Sequence, residues 1–228
     1  MNNRSKKDVE MFYKDDYVNV FTNNRVKFLL KGIHKKLDKP FRNKTNLKII
    51  EVGAGHGQHF MLTKLKTDRY VELDLREFKN LKLDDSKSIE NKRTRVVGDA
   101  ETLDVVKSNE FNGLIATCLL AHLSDMHKSL ENWRRVVKHN GLITIYVPCE
   151  PGIVLRIARF FTTKKLISKL GYDHSSIHWT EHRNHFPGMQ TAIKKVFKLD
   201  KITERKFPTR FLSWDFNFYS IFVIQIQK

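Results

Sequence analysis

The segment Glu51-Val52-Gly53-Ala54-Gly55-His56-Gly57 constrains this chain more than any other. It follows an apolar run at 48–52 that reads as a buried strand, and it precedes a helical pattern at 58–65. Three alternating glycines suit a chain that must turn sharply while its backbone comes close to a ligand, an approach that a Cβ would block. The competing reading is an ordinary strand-to-helix turn, and the framing of the glycines by an acidic residue and a buried strand weighs against it. A dinucleotide fingerprint, G-x-G-x-x-G, would need glycine where Gln58 stands, so the spacing is not that of a nicotinamide site.

The loop opens a longer alternation. A second strand is predicted at 69–73, ending at Asp74, and three more short β-rich runs at 95–97, 113–117 and 141–147. A helix at 126–137, closing at Asn140-Gly141, separates the last two. Strands alternating with helices make a mostly parallel sheet, hence an α/β, Rossmann-like three-layer sandwich. After Pro148 the pattern changes to an amphipathic segment at 153–170, a His-rich loop at 174–185, a helix at 189–197 and strands at 201–207 and 219–227. Two closing strands in succession predict an antiparallel pair at the edge of a seven-stranded sheet. Residues 17–37, with Val18, Phe21, Val26, Leu29, Leu30 and Ile33 near helical spacing, predict a helical cap ahead of the sheet. No repeat or Pro/Gly-rich hinge divides the 228 residues, so a single domain is expected: cap 1–45, core 46–148, substrate insertion 149–190 and closing elements 191–228.

Composition narrows the partners. The formal charge is +17, but lysines outnumber arginines about two to one and are spread along the whole chain, which reads as a solvated surface more readily than as a nucleic-acid face. Anionic substrates or anionic lipids remain compatible with it. The longest apolar run, 114–121, is far short of the ~20 residues of a membrane span, and residues 1–10 are charged and Asn-rich with no apolar region. No transmembrane helix and a cytoplasmic location are therefore expected. Cys118 and Cys149 form no ligand cluster of zinc spacing, so reduced thiols and no metal are expected.

The glycine segment closely resembles motif I of the class I S-adenosylmethionine (SAM)-dependent methyltransferases. The resemblance extends over roughly 49–148 and continues in order through Asp74, through Gly98-Asp99-Ala100-Glu101 and through Thr117-Cys118-Leu119-Leu120-Ala121-His122-Leu123. It implies a SAM cofactor, released as S-adenosylhomocysteine, with the loop of Glu51, Gly53, Ala54, Gly55 and Gly57 against its methionine part. Asp74 would accept hydrogen bonds from the ribose hydroxyls, Asp99 and Ala100 would hold the adenine, and Cys118 would lie against the cofactor. Asn112 departs from the Asp that many members carry at the start of the fourth strand, a position that supports the loop structurally.

Methyl transfer from a sulfonium is an in-line displacement, so the acceptor atom must be aligned and its lone pair free. A hydroxyl acceptor benefits from a general base, for which His122, after the fourth strand at the carboxyl edge of the sheet, is one candidate. His182 and His185, in Glu181-His182-Arg183-Asn184-His185-Phe186, are the others, and Tyr146, Glu181 and Arg183 are candidates for binding the acceptor. The arrangement of Pro148-Cys149-Glu150-Pro151-Gly152, the basic amphipathic segment and the Glu-His-Arg-Asn-His loop is similar to bacterial methyltransferases of surface-polysaccharide assembly. That similarity implies a small-molecule acceptor, a sugar of a surface glycan or its nucleotide- or lipid-linked precursor, methylated on O or N. The basic helix would pack on the body or lie on a membrane surface. RNA or protein methylation and a non-catalytic SAM-binding scaffold are the alternatives. The Pro-Pro-aromatic loop of base-amine methyltransferases and the fourth-strand Pro-Cys of 5-methylcytosine enzymes do not occur in this sequence.

Overall fold

The computed structural model describes residues 11, 12, 16, 24–76 and 92–228. Among them runs a seven-stranded sheet in the order β3-β2-β1-β4-β5-β7-β6. Its strands are β1 (Lys48–Val52), β2 (Arg69–Asp74), β3 (Arg93–Val97), β4 (Phe111–Thr117), β5 (Val137–Pro148), β6 (Lys201–Phe207) and β7 (Tyr219–Gln225). β1 to β5 pair in parallel, and β7 runs antiparallel to both β5 and β6. The mostly parallel sheet with an antiparallel edge pair is the one expected from the alternation of the sequence.

Successive residues of a strand point to opposite faces, so each strand divides its side chains between two layers. Ile50, Val52, Val71, Leu73, Leu114 and Ala116 join a cluster with Trp133 and Phe197, from the side of helices α3 (Met126–Val136) and α7 (Phe186–Val196). Ile49, Tyr70 and Ile115 join a second cluster with Leu37, Phe41 and Phe60, from the side of α1 (Asn24–Asp38) and α2 (Gln58–Leu62). Apolar burial on both faces is what a parallel sheet needs, and it accounts for the near-continuous apolar strands. Trp133 anchors the first layer, fully buried with its Nε1–H donating to the Ala100 carbonyl at 2.8 Å.

Three local expectations are corrected. The helix at 126–137 does not run to Asn140-Gly141. It stops at Val136, and Val137 already pairs with Phe111 in a β5 that is irregular before Leu142, with Asn140 at φ +60°. The amphipathic segment is two helices, α4 (Ile153–Phe161) and α5 (Thr163–Lys169), broken at Thr162, whose φ of −119° and ψ of −96° are not helical. The His-rich loop is largely helical: α6 (His174–Glu181) starts at Asp173, whose carboxylate accepts from the Ser175 and Ser176 N–H groups and satisfies the open end of the helix. In the predicted N-terminal cap, α1 supplies the helix from Asn24, while Val18 and Phe21 lie outside the described residues. Phe12 is buried with Ile167 and Ile177, and Tyr172 donates its hydroxyl proton to Asp16 at 2.8 Å.

The α1/α2 layer buries charge as well as hydrocarbon. Glu72, fully buried, accepts from Arg93 at 2.7 and 2.9 Å and from Arg95 at 2.7 Å, while the Arg93 guanidinium lies 4.0 Å above the Phe60 ring. Behind it His34 Nδ1 meets His59 Nδ1 at 2.7 Å, and His59 Nε2 lies 3.1 Å from Asp38. Burial, followed by the His59 charge, lowers the His34 pKa from 6.5 to about 3. The unfolded chain therefore takes up this proton before the folded one, and stability is lost as pH falls from 6.5 towards 3. Between pH 7 and pH 5 His34 is expected to remove about 2 kcal/mol of unfolding free energy. Denaturant titrations at the two pH values test this, with the loss shrinking in His34→Gln.

Candidate active site

The glycine loop leaves the carboxyl end of β1 and is held by the end of β2. Gly53 and Ala54 N–H groups donate to the Leu73 carbonyl at 2.8 and 3.1 Å, and Gly55 N–H donates to Asp74 Oδ2 at 2.8 Å. Asp74 Oδ1 accepts from the Arg76 N–H at 3.0 Å, so a carboxylate only 7% exposed closes the gap between the two strand ends. Gly53, Gly55 and Gly57 have φ of +66°, +53° and +71°, in the left-handed region where a side chain is strained.

Space separates the three. A Cβ on Gly53 would stand 2.7 Å from Leu119, in the loop after β4, and one on Gly57 would stand 2.5 Å from Arg93 and 2.7 Å from Glu72. A Cβ on Gly55 would meet nothing within 4 Å, so this glycine faces an open cradle. Glu51 points away from the cradle into the α1/α2 layer, where it is buried and accepts from the Tyr70 hydroxyl at 2.8 Å. Burial raises its pKa to about 7.

Loops after β3 and β4 complete this edge. Asp99 is half-buried and accepts from the Glu101 N–H at 2.8 Å; Ala100 is buried. The Glu101 carboxylate accepts from Ser124 and Asp125 N–H groups and ties the two loops together. Cys118 takes φ +59° and donates its N–H to the Tyr146 carbonyl at 3.3 Å. Burial, then the nearby Glu150 charge, pushes its thiol up to about 12, so it stays protonated at neutral pH. Tyr146 is half-buried with its ring centroid 5.2 Å from that of Tyr219.

The next strand end carries a residue that sequence reasoning did not select. Glu150, 1% exposed, follows β5 and is held by Arg159 of α4 and by His182, whose Nδ1 is 2.6 Å from Oε2. His178 Nε2 lies 3.2 Å from the same oxygen and 2.7 Å from Arg159. Burial alone would raise the pKa of this carboxyl, but hydrogen bonds from His178 and His182 and the charge of Arg159 outweigh it and hold the group well below its ordinary value. Glu150 is ionised at neutral pH and acts only as an acceptor.

The ring of His182 meets that of His122 edge-on, centroids 4.6 Å apart, and His122 Nδ1 is 3.9 Å from Glu181. Burial, then the His182 charge, lowers the His122 pKa to about 3, leaving a neutral imidazole. Asn184 fixes this pairing: its N–H donates to Ala121 O at 3.0 Å and its side chain to Leu120 O and Leu123 O at 3.1 and 2.7 Å. The structure thus brings His122, His182 and Glu181 together. Arg183 is exposed and donates to Ser124 Oγ at 3.1 Å, and His185 is exposed at the head of α7. Glu150 had one readable signal, its position directly after a predicted strand at the ligand-binding edge; Arg159 had none, since a lone Arg on a basic helix reads as surface.

Among the described residues two groups of donor atoms lie within 4.8 Å of one another, Cys118 with His122 and His182, and Glu150 with His178 and His182. Arg159 supplies the counter-charge of the second group.

Residues 50–145 match the family model described as a methyltransferase domain. Among curated proteins no sequence matches the chain. Solved structures share the fold over nearly all of it. The CurJ carbon methyltransferase superimposes at TM-score 0.63 with 12% identity, covering 95% of this chain and 59% of the other. A SAM-dependent methyltransferase of Thermotoga maritima does so at 0.61 and 11%, covering 96% and 99%. Phosphoethanolamine N-methyltransferase 2 of Haemonchus contortus, solved with SAM, does so at 0.62 and 16%, covering 97% and 57%. Residues 50–145 thus match a methyltransferase domain, and the strand order and these neighbours show that the chain has the fold of SAM-dependent methyltransferases.

A side chain at Gly55 would enter open space, and one at Gly57 would meet Arg93 and Glu72. Gly55→Ala is expected to cost about 1 kcal/mol of backbone strain but to weaken SAM binding at least tenfold, because the added methyl enters the cradle. Gly57→Ala is expected to cost more stability, by pressing on the buried Glu72–Arg93 pair. Thermal unfolding alongside calorimetric SAM titration of both variants distinguishes them.

Proposed function

We propose that this chain transfers the methyl group of SAM to an oxygen or nitrogen of a small-molecule acceptor, a sugar of a surface glycan or its nucleotide- or lipid-linked precursor. The observation that carries the reading is the buried, ionised Glu150 bonded to Nδ1 of His182, beside a neutral His122. SAM when bound supplies an electrophilic methyl on sulfonium. The residues for it are the Gly53–Gly57 backbone for the methionine part, Asp74 for the ribose, Asp99 and Ala100 for the adenine, and Cys118 alongside. The open cradle at Gly55 and the spare acceptor lone pairs of Asp74 fit that group.

The chemistry of this chain's own residues follows from one proton position. An ionised carboxylate can only accept, so His182 carries a proton on Nδ1, and in the neutral form of the ring the lone pair is on Nε2. Nε2 takes the proton of an acceptor hydroxyl or ammonium, and Glu150 stabilises the imidazolium that forms. His122, kept neutral by burial, offers a second uncharged nitrogen to orient the acceptor. Glu181, Arg183 and the half-buried Tyr146 border the same edge and would contact the acceptor. Asn184 acts through the others, by holding the post-β4 loop against the segment after α6. His185, exposed at the head of α7, is a further candidate base.

His182→Ala is expected to lower kcat roughly a hundredfold or more on a hydroxyl acceptor, with SAM affinity unchanged. Glu150→Gln is expected to lower kcat in the same direction by releasing the tautomer. Release of S-adenosylhomocysteine against a panel of amino sugars and nucleotide-sugars is the measurement; full turnover in both variants would remove His182 as the base.

A further inference from the structure

Helix α4 is built the wrong way round for a helix packed on a globular body. Ile153, Ile157, Phe160 and Phe161, at spacings i, i+4, i+7 and i+8, form one apolar stripe, and they are 51%, 55%, 59% and 70% exposed. The helix has no buried residue, and it is tied inward by the Arg159–Glu150 ion pair. Its start abuts the turn Trp214–Phe216: the Asp215 backbone lies 3.3 Å from where a Cβ of Gly152 would stand. That neighbouring segment exposes Phe211 and Phe216 as well, at 97% and 49%. A contiguous apolar surface of this kind marks an interface.

Charge identifies the partner. Between 151 and 172 the sequence carries five basic residues and no acidic one. Arg156, Lys164 and Lys165 flank the stripe in the open. Between α4 and α6 lies a cavity of about 460 Å³ with Arg156, Arg159, Lys164 and His174 on its walls and Ile153, Ile157 and Phe160 beside them. A second copy of this chain would set cations against cations across a two-fold axis, which opposes association. A nucleic-acid backbone would satisfy the cations but leave the aromatic stripe in water. A surface with phosphate outside and hydrocarbon beneath satisfies both.

We propose that α4 and the adjoining 211–216 turn dock the protein onto an anionic lipid surface, with the stripe entering the acyl boundary and the α4–α6 cavity taking a lipid phosphate. The docking is independent of which atom is methylated. It places the Glu150 carboxylate, held by Arg159 of the same helix, directly behind the surface.

Flotation of the full chain with vesicles tests this. Phosphatidylcholine vesicles containing phosphatidylglycerol are expected to bind it roughly tenfold or more better than phosphatidylcholine alone. Ile157→Asp/Phe160→Asp and, separately, Arg156→Glu/Lys164→Glu are each expected to lower that binding roughly tenfold while calorimetric SAM affinity stays at the wild-type value. Lys44→Glu/Lys48→Glu changes the net charge equally at the amino end of β1, the opposite edge of the sheet, and is expected to leave vesicle binding intact. The proposal is overturned by absence of vesicle binding, by stripe variants that bind like wild type, or by equal loss in the Lys44/Lys48 control. Self-association abolished by the stripe variant would overturn it in favour of a second copy.

Discussion

The position of β1 between β2 and β4 is the constraint on which the rest of this molecule depends. The strand order reverses there, so the chain leaves β1 towards one face and β4 towards the other, and a crevice opens at their carboxyl ends. Parallel pairing points the ends of β1 to β5 to one edge. Residues as distant in sequence as Gly53 and Glu150 therefore gather on one side of the sheet. The contact between the glycine loop and Leu119, which leaves no room for a Cβ at Gly53, is where the two diverging loops meet.

Beyond β5 at that edge a single charge organises the helices. A carboxylate taken out of water costs several kcal/mol unless it is paired, and Glu150 finds its partners on α4 and α6. This accounts for the inverted helix: α4 turns Arg159 inward because the buried charge requires it, and the apolar stripe is left facing out. The same carboxylate determines which nitrogen of His182 carries the proton. The Nδ1 proton of His182 and the exposed stripe of α4 thus both follow from one buried carboxylate.

Much of the sheet and of the turn after β1 could be read in advance because its signals are local. Alternating glycines between a strand and a helix demand left-handed backbone wherever they occur, and each acidic residue after a strand end sits at the same edge. The boundaries that failed were those set by long-range pairing. Val137 belongs by its neighbours to a helix, and only its pairing with Phe111 draws it into β5. The segment 174–181 lacks an apolar stripe, and its helix rests on the Asp173 cap and on the pull of His178 and His182 towards Glu150.

By itself the sequence determined the class of fold and the left-handed turn that follows β1, because periodicity and glycine spacing act within a few residues of the chain. Only the tertiary structure decided that Glu150, Arg159, His178 and His182 form one charge-balanced cluster, that His122 is neutral beside it, and that Glu51 turns away from the cradle. Those outcomes depend on burial and on partners many residues away in sequence, and the energy of a charge is set by what surrounds it in space.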